Sequence, residues 1–149
     1  MSVTIKYLDK NDLSLFSELV DVFAIVFEME GFVKPPKKQL QKCLSGDNFG
    51  AVVALKDGKV IGGLTVYYLE QYYSTSPLAY IYDLAVMPAH QRIGIGKKLI
   101  DFINNFCRAN GFEEVFVQAD RVDGHAVDFY RGTKPTAEED VLHFYYAFK

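Results

Sequence analysis

The sequence lacks any long hydrophobic run. No uninterrupted apolar stretch approaches the roughly 20 residues that a helix needs to cross a bilayer. The opening segment, "MSVTIKYLDKND", also lacks the charged and then apolar layout of a signal peptide. Cysteine is scarce, and Cys43 and Cys107 both lie in segments with helical periodicity. We interpret them as core or surface thiols in a reducing cytoplasm. These absences predict a cytoplasmic protein that does not bind membranes.

An excess of positive charge is also absent. The chain has 16 lysines and arginines against 19 aspartates and glutamates, a net charge of −3, and no stripe of basic and aromatic residues. This balance disfavours a nucleic-acid partner and permits a cationic substrate. The histidines show no metal-ligand spacing with cysteine or glutamate, so we expect no metal site. The roles of His125 and His143 are left open.

The sequence does contain alternating strand and helix patterns in a chain of single-domain length, 149 residues. Asp57-Gly58 between two β-rich runs predicts a hairpin, and the strand, helix and strand patterns between residues 80 and 119 predict a parallel crossover. We therefore expect one α/β domain, residues 1–149, with a mixed sheet and helices on both faces. The predicted elements, in chain order, are a strand at Val3–Leu8, helices from Leu13 to Phe27 and from Pro36, strands on each side of Asp57-Gly58, a strand at Ala79–Val86, a helix ending at Asn110-Gly111, a strand at "EEVFVQA", a helix at "DGHAVDFYRG" capped by Asp123, and a last strand at "DVLHFYYAF".

The stretch "HQRIGIGKKL" places two glycines between a strand and the first turn of a helix. A helix N-terminus has unpaired N–H groups and a partial positive charge, so it binds anions that can reach the backbone. Gly94 and Gly96 remove the Cβ atoms that would block this approach, and Arg92 and Lys97 add charge. The alternative is that the glycines only turn the chain. A P-loop is excluded because GxxxxGK[ST] is absent, and the dinucleotide fingerprint fails at Leu99.

The pattern Gln91-x-x-Gly94-x-Gly96 after "DLAV" resembles motif A of the GCN5-related N-acetyltransferases (GNAT). The stretches "YIYDLAVMPAHQRIGIGKKLI", "VFVQADRVDGHAVDFYRG" and "EEDVLHF" resemble the aminoglycoside 3-N-acetyltransferase branch of that superfamily, over roughly residues 48–145. The segment "GTKPTAEED" departs from the glycine-rich turn that is usual in this branch. This departure affects the expected shape of the substrate rim more than the cofactor site. The resemblance implies a GNAT fold: a mixed, mostly antiparallel twisted sheet of six or seven strands with about four helices on both faces.

The resemblance also implies a site for acetyl-coenzyme A. Its pantetheine arm would pair with the backbone of Leu84, Ala85 and Val86. An N–H group near Ala85 or Val86 could stabilise the charge that develops on the thioester carbonyl, and the sequence leaves open which one does so. The pyrophosphate would lie on the loop formed by Gln91, Arg92, Ile93, Gly94, Ile95, Gly96 and Lys97.

Two residues are predicted to be catalytic. Asp83 is a lone carboxylate in an apolar strand, and burial would raise its pKa and make it a better general base for an ammonium group. The alternative is a carboxylate that caps an amide or pairs with a cation. Tyr130 corresponds to the tyrosine that protonates the leaving thiolate in this superfamily; the alternative is packing beside Phe129.

A substrate with several ammonium groups would require an acidic cleft. The candidate substrate-binding residues are Asp120, Asp123, Glu28 and Glu30, with Glu70, Tyr72 and Tyr73 at the end of the hairpin. The alternative for these carboxylates is a solvated surface. The aromatic segment "FYYAF" could supply a homodimer interface or belong to the core.

The sequence thus predicts an N-acetyltransferase that transfers acetyl from acetyl-coenzyme A directly to an amino group of an aminoglycoside-type antibiotic, at the 3-N position by resemblance. The first alternative keeps the enzyme class with another acceptor: a polyamine, a small metabolite or a protein amino group. The second is a non-catalytic coenzyme A-binding module, which the presence of both Asp83 and Tyr130 disfavours.

Overall fold

The protein, a computed structural model that describes residues 2–149, contains two compact units, divided after Gln118. The first unit holds all the strands and three of the α-helices, and the second, Ala119–Lys149, holds the fourth. The elements are β1 (Thr4–Tyr7), α1 (Leu13–Val26), α2 (Lys37–Ser45), β2 (Phe49–Lys56), β3 (Lys59–Leu69), β4 (Leu78–Val86), a 3-10 turn (Pro88–His90), α3 (Ile95–Ala109), β5 (Glu114–Val117) and α4 (Gly124–Gly132).

The strands of the first unit form one sheet in the order β1-β2-β3-β4-β5. Strands β1 to β4 are antiparallel neighbours, and β5 is parallel to β4, so the predicted crossover is confirmed. The β2–β3 hairpin turns at Asp57 and Gly58, with φ values of 51° and 76°. Two consecutive positive φ angles are the signature of the tight turn predicted from this pair.

Helices cover both faces of this sheet, as predicted. Helices α1 and α2 pack on one face, where Phe16, Leu19 and Leu40 share a cluster with Ala51 and Val53 of β2. The opposite face is covered by α3, whose buried stripe matches the periodicity of its sequence. That stripe consists of Ile95, Leu99, Ile100, Ile103 and Cys107. Cys43 and Cys107 are free thiols.

The feature that shapes the site is the divergence of β4 from β5. Their pairing begins at Leu78↔Glu114 and ends at Ile81↔Val117, although β4 continues to Val86. The register between β3 and β4 shifts at the same level, between Thr65 and Val66. In the part of the chain that the structure describes, the β4 backbone after Ile81 is therefore paired with β3 on one side only.

In the second unit, Asp123 caps α4 as predicted, since its Oδ1 accepts a hydrogen bond of 3.1 Å from the Ala126 N–H. Arg131 holds Glu138 through two hydrogen bonds of 2.9 Å, and Arg121 pairs with Asp140. The prediction of a last strand at "DVLHFYYAF" was wrong, because residues 134–149 form neither helix nor strand.

The missing strand also corrects the predicted sheet of six or seven strands to five in residues 2–149. The physical reason is that a β-prone sequence forms a strand only when a neighbour supplies hydrogen bonds and packing. The aromatic side chains of this segment remain in solvent, with Tyr146 85% and Phe148 94% exposed.

Candidate active site

The predicted pyrophosphate loop leaves β4 at Val86 and enters α3 at Ile95. Arg92 and Gly94 are both left-handed, with φ values of 63° and 87°. A Cβ built on Gly94 would have no atom within 4 Å, so the surface above this residue is open. The structure therefore explains the glycine at position 94 by its backbone conformation, which the spacing alone did not show. Its positive φ angle favours glycine whether or not a ligand approaches the loop.

At the N-terminus of α3, where this loop ends, the first N–H groups have no partner within the helix. Gly94 occupies the N-cap position without a side-chain cap, and the first turn carries no acidic residue. The first bond of the helix runs from the Lys98 N–H to the Gly94 carbonyl at 3.0 Å. The N–H groups of Ile95, Gly96 and Lys97 precede that bond, and together with the helix dipole they form an environment that attracts an anion.

Two of the predicted loop side chains already have partners. Gln91 donates a hydrogen bond from Nε2 to the Val86 carbonyl at 2.9 Å, which ties the loop to the end of β4. Lys97 pairs with Asp101 at 3.0 Å, one turn along α3, where both side chains are more than half exposed. Because exposed pairs of this kind contribute little, Lys97 is able to exchange Asp101 for a bound anion at low cost.

The predicted pantetheine segment Leu84–Val86 lies where β4 runs beyond β5. On its other side, Leu84, Ala85 and Val86 pair with Leu64, Gly63 and Gly62. Gly62 has no Cβ because one built there would lie 2.9 Å from the Ala85 carbonyl oxygen. The backbone edge on the β5 side thus offers N–H and C=O groups to an extended ligand, as an edge strand does.

Asp83 lies in β4 directly before that segment and pairs with Thr65 of β3. Burial raises the pKa of its carboxyl above the ordinary value of 3.8. The predicted alternative, a carboxylate that caps an amide or pairs with a cation, is not what residues 2–149 show, because they record no hydrogen bond or ion pair to Asp83. A desolvated carboxylate without a compensating charge is a better proton acceptor than a solvated one.

The other predicted acidic residues lie elsewhere in the two units. Glu28 and Glu30 follow α1 in the first unit, are exposed, and Glu28 is left-handed with φ 51°. Asp120 and Asp123 belong to the second unit. Their carboxylates accept hydrogen bonds from local N–H groups, those of Val122 and Ala126 respectively. These two side chains therefore have a structural task, which leaves their predicted substrate role a prediction.

Tyr130 lies in α4 of the second unit and is partly buried. Its ring meets Phe129 edge-on, with centroids 5.0 Å apart, and its carbonyl accepts a hydrogen bond of 2.6 Å from the Thr133 hydroxyl. The packing alternative named above is thus realised in part, and the acid role of Tyr130 stays a prediction.

Sequence reasoning missed the aromatic residues around Asp83. Tyr67 of β3 and Tyr82 of β4 meet edge-on with ring centroids 5.5 Å apart, and Tyr80 lies 5.8 Å from Tyr82. Asp83 contributes to the raised pKa of both Tyr67 and Tyr80, although burial is the larger cause. The available signal was the alternation "YIYD", but the irregular register between β3 and β4 decides which of these side chains share a face.

A comparison with protein families decides what this arrangement belongs to. The model of the acetyltransferase (GNAT) family matches residues 14–133, which include all but the first residue of α1, the whole loop and α4. The chain belongs to the GNAT family. It is therefore an N-acetyltransferase, and acetyl-coenzyme A is the usual acyl donor of this family.

Solved structures include two GNAT relatives from uncultured soil metagenomic samples. The aminoglycoside acetyltransferase meta-AAC0020, solved in complex with sisomicin, is 58% identical over 99% of this chain and 97% of that chain, with a TM-score of 0.97. The aminoglycoside acetyltransferase HMB0005 is 34% identical over 100% of both chains, with a TM-score of 0.92.

A more distant structure shares the GNAT fold. The aminoglycoside N-acetyltransferase AAC(6')-Iy, in complex with coenzyme A, is 17% identical over 99% of this chain and 96% of that chain, with a TM-score of 0.78. No curated protein matches the sequence.

Within residues 2–149 there is no group of three or more histidine, cysteine, aspartate or glutamate side chains that could hold a metal ion. Over the same residues, no helix has the length and apolar character to span a bilayer.

Proposed function

We propose that the protein transfers an acetyl group from acetyl-coenzyme A to an amino group of an aminoglycoside-type compound, and that residues 1–149 act as one cytoplasmic acetyltransferase domain. The observation that carries the proposal is Asp83: a desolvated carboxylate without an ion pair, next to the open edge of β4. The choice of acceptor is supported by the two relatives above, both aminoglycoside acetyltransferases. The 3-N position follows only from the sequence resemblance.

The residues of the loop fit the donor. The open surface above Gly94 and the uncapped N-terminus of α3 suit a pyrophosphate, with Arg92 at the rim. Within residues 2–149 the backbone of Leu84–Val86 has no strand partner on the β5 side, although Gln91 already occupies the Val86 carbonyl, and this edge suits the extended pantetheine arm. When bound, acetyl-coenzyme A supplies the activated acetyl group as a thioester. An N–H group of Ala85 or Val86 is the candidate donor to the thioester carbonyl.

The proton transfers fall to two side chains. Asp83 accepts a proton at its carboxylate from the ammonium group of the acceptor, so that the amine becomes nucleophilic. Its raised pKa, caused by burial, narrows the gap to the pKa of an amine. Tyr130 would serve as the acid, donating its phenol proton to the sulfur as the C–N bond forms and the C–S bond breaks. The second proton that the acceptor nitrogen loses would restore the phenol. Placement of amine and thioester by the surrounding residues supplies a further part of the acceleration.

The test is a thiol-release assay with a panel of amines, followed by mass spectrometry of the products. We expect turnover of gentamicin or kanamycin and a product carrying one acetyl group, and fragmentation of that product decides whether the 3-amino group is modified. Turnover of spermidine or of a peptide without turnover of either antibiotic would reject the acceptor and leave the enzyme class intact. Binding of coenzyme A without turnover of any amine would favour a non-catalytic module.

The exposed aromatic segment at residues 144–148 supports the predicted homodimer as a second proposal. Large apolar patches on soluble proteins commonly mark interfaces, and Phe144, Tyr145, Tyr146 and Phe148 are each at least 77% exposed. Light scattering of the protein in solution tests it: the mass of a pair is expected, and the mass of a single chain at micromolar concentration would contradict it.

A further inference from the structure

A continuous row of aromatic rings crosses the first unit on the sheet face that carries Asp83. The row runs through Tyr67, Tyr82, Tyr80 and Phe116, with successive centroid distances of 5.5, 5.8 and 4.7 Å. The first two contacts are edge-to-face, and Tyr80 stacks on Phe116 at 7°. Edge-to-face rings hold one another in place, so the row forms a preorganised surface.

The part of this row formed by Tyr67 and Tyr82 is open to solvent. Tyr67 is 41% and Tyr82 is 58% exposed, although both rings contact other rings. The Tyr80 hydroxyl donates a hydrogen bond of 2.9 Å to Oε1 of Gln118, which fixes that ring as well. A fixed aromatic surface that remains half exposed is typical of a binding site and is unnecessary for a core.

The row continues towards α2. Phe49 meets Tyr67 with centroids 5.4 Å apart, and both residues line a cleft of about 270 Å³ between α2 and the start of β2. Asp47 and Lys42, of opposite charge, both line the same cleft. A ligand larger than one sugar ring would therefore find a second recess next to Tyr67.

Charge decides which ligand suits this surface. Asp83 lies on the same face, since it pairs with Thr65, two residues before Tyr67 in β3. In residues 2–149 no lysine or arginine forms an ion pair with Asp83. The electron-rich faces of tyrosine rings attract cations, and the apolar C–H faces of a sugar stack on the same rings. A carboxylate beside open tyrosine rings thus matches an ammonium group carried on a ring.

We propose that Tyr67, Tyr82 and Tyr80 form the acceptor subsite beside Asp83, and that it recognises a cationic amino sugar by ring stacking and cation–π attraction. This inference rests on the proposed function and adds the residues that select the acceptor. Tyr82, the most exposed ring of the three, contributes most to binding the acceptor and nothing to binding acetyl-coenzyme A.

The test measures KM and kcat for gentamicin with Tyr82 replaced in three ways. Tyr82→Ala and Tyr82→Leu remove the ring, and we expect KM for gentamicin to rise about 5- to 30-fold, the range of one cation–π contact. KM for acetyl-coenzyme A and kcat are expected to stay within about 2-fold. The matched control, Tyr82→Phe, keeps the ring and is expected to keep KM near the wild-type value. Tyr67→Ala should show the same pattern as Tyr82→Ala.

Each other outcome overturns the inference. An unchanged KM for gentamicin in Tyr82→Ala, Tyr82→Leu and Tyr67→Ala means that the rings do not bind the acceptor. An unchanged KM together with a changed mass in light scattering means that the row is a protein interface. The thermal midpoint of each variant checks that the fold is intact. If the alanine and leucine variants fail to fold, the comparison of Tyr82→Phe with wild type still tests whether the ring alone is sufficient for binding.

The failure of the proposed function looks different. In that case the wild-type protein does not turn over gentamicin, whether or not it acetylates another amine, and calorimetric titration of gentamicin into wild type and Tyr82→Ala replaces the kinetics. Binding that weakens in Tyr82→Ala would still support the subsite, and the absence of binding to wild type would overturn it.

Discussion

Strand β4 and the segment 140–148 near the C-terminus have similar compositions, but only β4 forms a strand. Each spans nine residues with one aspartate among aromatic and aliphatic side chains, "LAYIYDLAV" and "DVLHFYYAF". Strand β4 pairs with β3 along its length except at Tyr82, and Ala79, Ile81 and Ala85 are buried. The later segment forms no strand, and Leu142 is 81% exposed. A β-prone sequence therefore allows a segment to form a strand, and the neighbouring strands determine whether it does so.

The two aspartates give the largest expected contrast. Asp83→Asn keeps the shape of the side chain and removes the base, so we expect kcat/KM to fall by a factor of about 10² to 10⁴. Binding of coenzyme A should survive, since Asp83 is no part of the loop. The matched control is Asp140→Asn, at an exposed ion pair with Arg121, which should change the rate less than about 2-fold.

Steady-state thiol release with gentamicin measures both aspartate variants. Equal rates for Asp83→Asn and wild type would remove Asp83 from the chemistry.

Truncation of apolar side chains sharpens the comparison further. Ile81 in β4 is 2% exposed, so Ile81→Ala should lower the free energy of unfolding by about 2–5 kcal/mol. Leu142→Ala removes a side chain that is already in solvent and should change it by less than about 0.5 kcal/mol in the single chain. Urea unfolding measures both values. A large loss in Leu142→Ala that depends on protein concentration would mean that the segment is buried between copies.

Two glycines provide the next contrast. Gly94→Ala places a Cβ on a residue with φ 87°, which should cost about 1–2 kcal/mol of stability or distort the loop, and should raise KM for acetyl-coenzyme A several-fold. Gly124→Ala adds a Cβ in open space at the first residue of α4, where no positive φ opposes it. We expect it to be neutral or slightly stabilising. Equal effects of the two substitutions would contradict the assignment of a conformational role to Gly94.

The smallest expected effect is on the pH dependence of stability. Burial raises the folded-state pKa of Asp83, so its ionised form costs stability at neutral pH, and this cost is recovered as pH falls through the raised pKa. Arg121 lowers the pKa of Asp140, so that carboxylate contributes stability that is lost as pH falls. The difference in unfolding free energy between Asp83→Asn and wild type should therefore be favourable at neutral pH and should shrink in acid. A difference independent of pH would contradict the burial argument.

The sequence predicted the parts of the fold that local patterns determine. The helix α3 follows its apolar stripe, the hairpin follows Asp57-Gly58, and the cap at Asp123 follows side-chain chemistry. The prediction of the last strand was wrong because a strand forms only beside a neighbouring strand, and a local sequence pattern does not show whether that neighbour is present.

The candidate site could also be predicted only where single residues or short motifs stand out in the sequence. The loop and Asp83 stand out in the sequence because a glycine pair and a lone carboxylate are unusual in their surroundings. The tyrosine row around Asp83 was not predictable, because the register shift between Thr65 and Val66 decides which rings meet. Bracing of the loop by Gln91 was missed for a similar reason, since its partner is the backbone carbonyl of Val86.

Backbone N–H groups of the loop between β4 and α3 are expected to hold the diphosphate of the cofactor. Isothermal titration calorimetry checks this with desulfo-coenzyme A and with pantetheine, which lacks the diphosphate and the adenosine beyond it. We expect heat and saturation with desulfo-coenzyme A, much weaker binding of pantetheine, and a loss of about tenfold or more in the affinity for desulfo-coenzyme A in Gly94→Val. No heat with desulfo-coenzyme A, or equal affinity for the two ligands, would contradict it.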